Sequence, residues 1–394
     1  MFSGLSKLAD KSFVLGFFLP ALVGVIAFIG LNRDVQPFTQ LFQTSLQDKT
    51  FANLTVMLLV VWTLSVLLMA GTHWMYRVLE GYAWPLNRPG LKERQFKRRR
   101  RQRVEAREAY GAFRIAQLHC GSPTVTSAET AQEQQRTLDH RKQEYLRLKR
   151  ALALEYPEQR ELVLHTRFGN VLRAFETYAS TVYGTESIHA WPRLLAVVPK
   201  DYQATLADAR APVDFFVSLV FLAFALGVIA LVRGGAALVG KPADAMSPWI
   251  FWFSAAGAFA SMRLCYLAAL ASAGAWGEVV KSAFDLYLPA LAHAMGYELP
   301  KSAGERRRFW EAQANQFLFH EPVQPEDWPP AGSSAPVAES PPKKDADDDG
   351  DRETSDEAEA ADDESSTGDD RNENRERRAF TPVKGTVVHR DIVR

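Results

Sequence analysis

Cysteine is almost missing from this 394-residue chain: there are two, Cys120 in a polar connector and Cys265 in an apolar run. That excludes a disulfide scaffold and a cysteine metal cluster, and it is what a reducing compartment permits. Net charge is missing as well, since 46 Lys and Arg balance 46 Asp and Glu. The balance conceals a basic block near residue 100 and an acidic block at 345–370, so local charge is the useful quantity. Catalytic signatures are also lacking. There is no GxSxG, no Walker A loop and no HExxH, and the 8 histidines are scattered. The chain therefore reads as a non-enzyme with no cofactor, no metal and no catalytic residues. Arg167, Arg173, Glu176 and Arg193 cluster loosely in sequence, a pattern that suits solvated or structural ion pairs better than a site.

Long apolar runs are what the chain does have. Residues 13–31 carry no charge, enough to cross a hydrocarbon layer of roughly 30 Å. Lys7 and Lys11 before the run, and Val25-Ile26-Ala27 within it, also fit a cleaved signal peptide. The apolar run continues to Leu31, which favours a span. Further spans are expected at 54–70, 215–232 and 249–270. Asp214 stands where the third begins and Arg233 where it stops. The fourth is rich in Ala, Ser and Gly, residues that let helices approach closely in lipid. Trp249 and Trp252 suit one membrane interface, and Tyr82 and Trp84 the other.

Lys and Arg near the span ends set the orientation. Ten lie between Arg77 and Arg103, while the 32–53 connection has only Arg33 and Lys49. The middle of the chain and both termini are thus expected in the cytoplasm. Within that middle, a charged helix is predicted over Leu91–Leu118 and another over Ser127–Glu155. Leu138, Tyr145, Leu148 and Leu152 form an apolar stripe on the second. The two can fold back as an antiparallel hairpin. A third helix is predicted from Pro157 to Tyr183, then a turn at Trp191-Pro192-Arg193, then a helix from Asp201 running into the third span. Pro85 and Pro89 are expected to end the helix of the second span. Past the fourth span, Val280, Phe284, Tyr287, Leu291 and Met295 share a face, and Ser302 to Glu305 reads as a capping box.

The expected architecture is all-α. It has a first transmembrane pair (1–71), a cytoplasmic helical unit (72–211), a second pair (212–275), amphipathic helices (276–321) and a disordered acidic tail (322–394). Residues 345–370 hold fourteen acids against Arg352, too polar to bury a core. Asp345 to Asp356 resembles a calcium loop, but it has Asp at the twelfth position, Arg352 in an aliphatic place and prolines before it. Chance in so acidic a stretch explains it better.

Two features invite a functional reading. Arg263 is the one strongly basic residue inside an apolar run. It is either an intramembrane functional charge or a structural one that snorkels to headgroups. The basic run Lys97, Arg98, Arg99, Arg100, Arg101 and Arg103 anchors topology and is a candidate contact for anionic lipid headgroups or for the acidic tail. Nucleic acid is disfavoured, since no aromatics are interleaved for stacking.

Four stretches, LEGYAWP (79–85), RFGNVLRAFETYASTVYG (167–184), AWPRL (190–194) and AFDLY (283–287), together resemble a family of uncharacterised bacterial membrane proteins with paired spans around a helical insert. The resemblance covers most of 10–320. It implies a bacterial inner membrane and supplies no catalytic or ligand residues. The role expected is a scaffold or interaction protein with a protein partner and possible homo-oligomerisation; the alternative is an oligomeric channel or transporter component using Arg263 and the fourth span. A reporter fused near residue 140 should be found in the cytoplasm; its appearance on the other side would overturn the assigned orientation.

Overall fold

Apolar runs bounded by polar connections form helices here, and most of those helices outlast the runs that predict them. The computed structural model describes residues 11–32, 51–120, 128–238 and 248–323, and no strand occurs among them. The helices are α1 (Lys11–Leu31), α2 (Phe51–Glu80), α3 (Pro89–Cys120), α4 (Ala128–Glu155), α5 (Arg167–Glu176), α6 (Tyr178–Val182), α7 (Ser187–Val197), α8 (Lys200–Leu238), α9 (Pro248–Ala294) and α10 (Ala303–Phe319). Four of them, α1, α2, α8 and α9, are long and apolar enough to cross a membrane. The acidic tail from residue 324, with the Asp345–Asp356 stretch, lies outside the described residues.

Helix α8 has 39 residues and α9 has 47. At about 1.5 Å per residue they reach about 58 and 70 Å, roughly twice a hydrocarbon core. They pack along each other, α1 packs on α8, and α2 packs on α1. At one end, Arg233 of α8 donates to Leu31 O at 2.7 Å and Asn32 Oδ1 at 3.0 Å, and it lies 4.6 Å from the Phe251 ring centroid. A cation there suits the negative end of the α1 dipole. Past the other end, α8 and α9 continue as rods into the helical unit. The main core is built there, from Tyr76, Phe168, Phe175, Trp191, Trp276, Phe284 and Trp310 among others.

Three boundaries differ from those expected. The helix of the expected fourth span (249–270) does not end with the span, because α9 runs on to Ala294. Gly277 sits in mid-helix where an added Cβ would lie 2.5 Å from the Phe175 ring, so this glycine admits a neighbour and does not break the helix. No single helix runs from Pro157 to Tyr183. After a short 3-10 turn at Arg160–Leu162 the chain is extended to Thr166. Asn170 holds it that way: its side chain bonds Leu164 N (2.7 Å), Leu164 O (3.1 Å) and Thr166 O (2.7 Å), competing with a helical ladder. Trp191-Pro192-Arg193 lies inside α7 and is not a turn.

Helix α2 also ends earlier than its prolines suggest. Gly81, at φ +86°, stops it. The Tyr82 N–H bonds Arg77 O and the Gly81 N–H bonds Val78 O, both at 3.0 Å, which is a Schellman motif. Pro89 starts α3, where a missing N–H costs nothing. Ser302 does precede α10, but its side chain makes no capping bond.

The predicted hairpin is present. Helices α3 and α4 run antiparallel, with Tyr156 bonded to Gln95 (3.0 Å), Gln102 to Glu155 (3.1 Å), and Tyr145 packed between Tyr110 and Phe113.

Candidate functional site

All four long helices meet at Asp214 of α8, which is 8 % exposed. The Tyr76 hydroxyl of α2 donates to Oδ1 at 2.7 Å. Arg210, one turn earlier on α8, sets its Nε 3.2 Å from Oδ2. The same guanidinium lies 5.7 Å from the Trp276 ring of α9. From α1 comes Gly16, within a π-helical turn at Val14–Phe18. Such a turn leaves the regular ladder locally broken. Ser218 of α8 donates to Gly16 O at 3.2 Å, and a Cβ on Gly16 would stand 3.3 Å from Asp214 Cβ. Both carboxylate oxygens are thus engaged by the protein itself, and the chemistry on offer is a tie between helices. Sequence reading left Asp214 as a boundary marker. The available signal was an acid at the edge of an apolar run, one turn after an arginine; its partner Tyr76, 138 positions away, carries no sequence signal.

A second tie joins the end of α2 to the start of α5. The Thr166 hydroxyl donates to Leu79 O at 2.5 Å and accepts from the Gly169 N–H at 3.0 Å, so it serves an orphan group at each helix end. Gly169 lies against the α2 backbone: a Cβ there would be 2.6 Å from Glu80 O. Close by, Arg173 is 8 % exposed and donates to the Tyr82 hydroxyl at 2.7 Å, with Glu176 at 3.6 Å. Burial opposes the Arg173 charge, but Glu176 and Tyr82 outweigh it and leave the pKa above the ordinary guanidinium value. Burial raises the Glu186 carboxyl, against the pull of His189 and Arg173. Of the residues grouped loosely in the sequence, Arg173 and Glu176 are brought together. Arg167 instead pairs with Glu155 at 3.2 Å, and Arg193 stacks 4.1 Å from the Phe317 ring centroid.

The basic run is divided by the helical rotation of α3. Arg99 is 6 % exposed and donates to Glu158 O; burial, and then Arg103, lower its pKa. Arg98 lies 3.6 Å from Glu155. On the outer side Lys97 pairs with Glu93 (3.0 Å) and Arg101 with Glu105 (2.8 Å), while Arg100 and Arg103 are exposed. Arg98 and Arg99 therefore hold the hairpin base, and a surface role falls to the other four.

Arg263 is exposed on α9, with its guanidinium carbon 6.0 Å from the Tyr266 ring centroid. Apolar clefts of about 490 and 560 Å³ flank α1, and among the described residues neither is lined by Arg263 or by any other charged side chain. Among the described residues no group of three His, Cys, Asp or Glu side chains could hold a metal ion. No family model, curated protein or solved structure matches this chain.

The Asp214 tie predicts unequal losses. Tyr76→Phe, which leaves one buried carboxylate oxygen short of a donor, should cost about 1–3 kcal/mol. Asp214→Ala, which leaves Arg210 uncompensated, should cost about 3–5 kcal/mol. Thermal unfolding of the purified protein, followed by tryptophan fluorescence, reads both. Equal or negligible losses would remove Asp214 from this role.

Proposed function

We propose that the chain is an integral protein of a bacterial inner membrane, of the uncharacterised kind that its four sequence stretches resemble. Its termini and helical unit lie in the cytoplasm, and it acts as a non-enzymatic scaffold. The observation that carries this reading is the α3–α4 hairpin. Its base is held by Arg99, Arg98 and Glu155, and its shaft leaves Tyr110, Ile115, Leu118 and Leu146 between 42 and 70 % exposed. A hairpin fixed at its root and apolar along its shaft suits docking to a protein partner, or to a second copy in a homo-oligomer. The exposed part of the basic run stands on the same helix. Anionic headgroups near it would contribute roughly 1 kcal/mol per basic residue. The channel reading has less support, because Arg263 lines neither cleft beside α1.

Crosslinking in native membranes followed by co-purification tests the scaffold role. The intact chain is compared with an Ile115→Ser, Leu118→Ser, Leu146→Ser variant, whose changes fall on exposed positions and leave the fold intact. A specific partner should be captured by the first and lost from the second. An identical set of crosslinks from both would reject the hairpin as the presenting surface.

A further inference from the structure

Among the described residues, nothing covers the face of α9 that carries Arg263. Leu264 is 66 % exposed and Leu267 38 %, and Ala256, Gly257 and Ala260 are exposed before them. On a helix that crosses a membrane, such a face meets lipid. Arg263 is the one charge there, and among the described residues no carboxylate pairs with it. Its height is fixed by Tyr266, one turn on, whose hydroxyl accepts the Phe168 N–H at 3.3 Å in the first turn of α5. Arg263 therefore lies about 4.5 Å along α9 to the membrane side of this contact with α5. On a helix that enters a membrane at Trp249, Arg263 is about 21 Å into a layer of roughly 30 Å, so its long side chain reaches the rim and the headgroups without a large penalty.

The donors at this rim outnumber the acceptors. The Arg263 guanidinium brings five N–H groups and no acceptor. The Tyr266 hydroxyl uses a lone pair on Phe168 N–H, and its own proton has no acceptor among the described residues. Arg167, held to Glu155 by one nitrogen, adds a second positive charge within electrostatic reach of the same hydroxyl. A planar fork of N–H donors beside an O–H donor is complementary to a phosphate.

We propose that Arg263 and Tyr266, with Arg167 behind them, bind the phosphate of an anionic phospholipid in the leaflet next to the helical unit. The acyl chains lie along Ala256, Gly257 and Ala260, on the membrane side of Arg263. The surplus of positive charge selects a net-negative headgroup over a zwitterionic one. The site requires that α9 cross a membrane, but it does not depend on the scaffold role of the hairpin.

Native mass spectrometry of the full chain, released from detergent at raised ionic strength, tests this with phosphatidylglycerol and phosphatidylcholine as probes. Raised salt screens the exposed arginines of α3 more than a contact at the lipid rim. The wild type should keep phosphatidylglycerol in preference to phosphatidylcholine. Arg263→Leu should lower that retention about fivefold or more, the loss expected for one basic contact. Arg263→Lys should restore part of it. An Arg100→Gln, Arg101→Gln variant should leave the tightly held lipid in place. Tyr266→Phe removes one donor and keeps the ring, and it should weaken phosphatidylglycerol retention. The site is overturned if Arg263→Leu and Tyr266→Phe both retain lipid as the wild type does. Equal retention of the two lipids, or displacement by inorganic phosphate, would overturn it equally.

Discussion

The docking of α5 against the apolar helices depends on how α2 ends. Its last turn is closed by a Schellman motif at Gly81, and the carbonyl left over at Leu79 is taken by the Thr166 hydroxyl. Gly169 then lies on the Glu80 backbone, so α5 meets α2 main chain to main chain. The hydrogen bonds set this geometry; they do not supply most of the stability. Each is worth about 1 kcal/mol net. The side chains they bring together, Tyr76, Phe168 and Leu172, bury apolar area worth about 1.5–3 kcal/mol apiece. The hydroxyl and the glycine decide where the core forms, and the core decides that it stays.

From that junction the rest follows by contact. Phe168 touches α9 through the Tyr266 hydroxyl, and Phe175 fills the space that Gly277 leaves. Helix α9 can therefore run unbroken from the apolar layer into the helical unit. Asp214 does the same work among the long apolar helices, engaging Tyr76 and Arg210 while the Ser218 hydroxyl, one turn on, donates to Gly16 O of α1. In lipid, apolar burial gives helices little reason to associate, so small residues and polar ties take its place. The two ties lie on the same stretch of α2, at Tyr76 and Leu79, so membrane helices and helical unit form one continuous packing.

The parts of this fold that sequence could reveal are those governed by local period and composition. Four apolar runs became four long helices, and the stripe ending at Leu152 became one side of a hairpin. What stayed hidden depends on partners far along the chain. The second pair reads as ending at 275 because nothing local shows that Phe175 fills the space beside Gly277. The run Lys97 to Arg103 looks uniform because its letters do not show which way α3 is turned; a 100° step per residue puts Arg99 inside and Arg100 outside. The same limit hid the site. Asp214 reads as the edge of a span until Tyr76 is seen against it. Thr166 reads as an interior residue of the helix expected from Pro157 to Tyr183 until the end of α2 is in place.

The claim that main-chain contact at Gly169 fixes the helical unit to the membrane helices is tested most directly by hydrogen exchange on Gly169→Ala. An added Cβ would stand 2.6 Å from Glu80 O and 2.9 Å from Glu80 Cα, backbone that cannot swing away. Overpacking of this kind costs about 1–3 kcal/mol. The account predicts lower protection of the amides across residues 164–176 and at the end of α2, with the outer α3–α4 hairpin unchanged. Wild-type protection across 164–176 in the variant would contradict it.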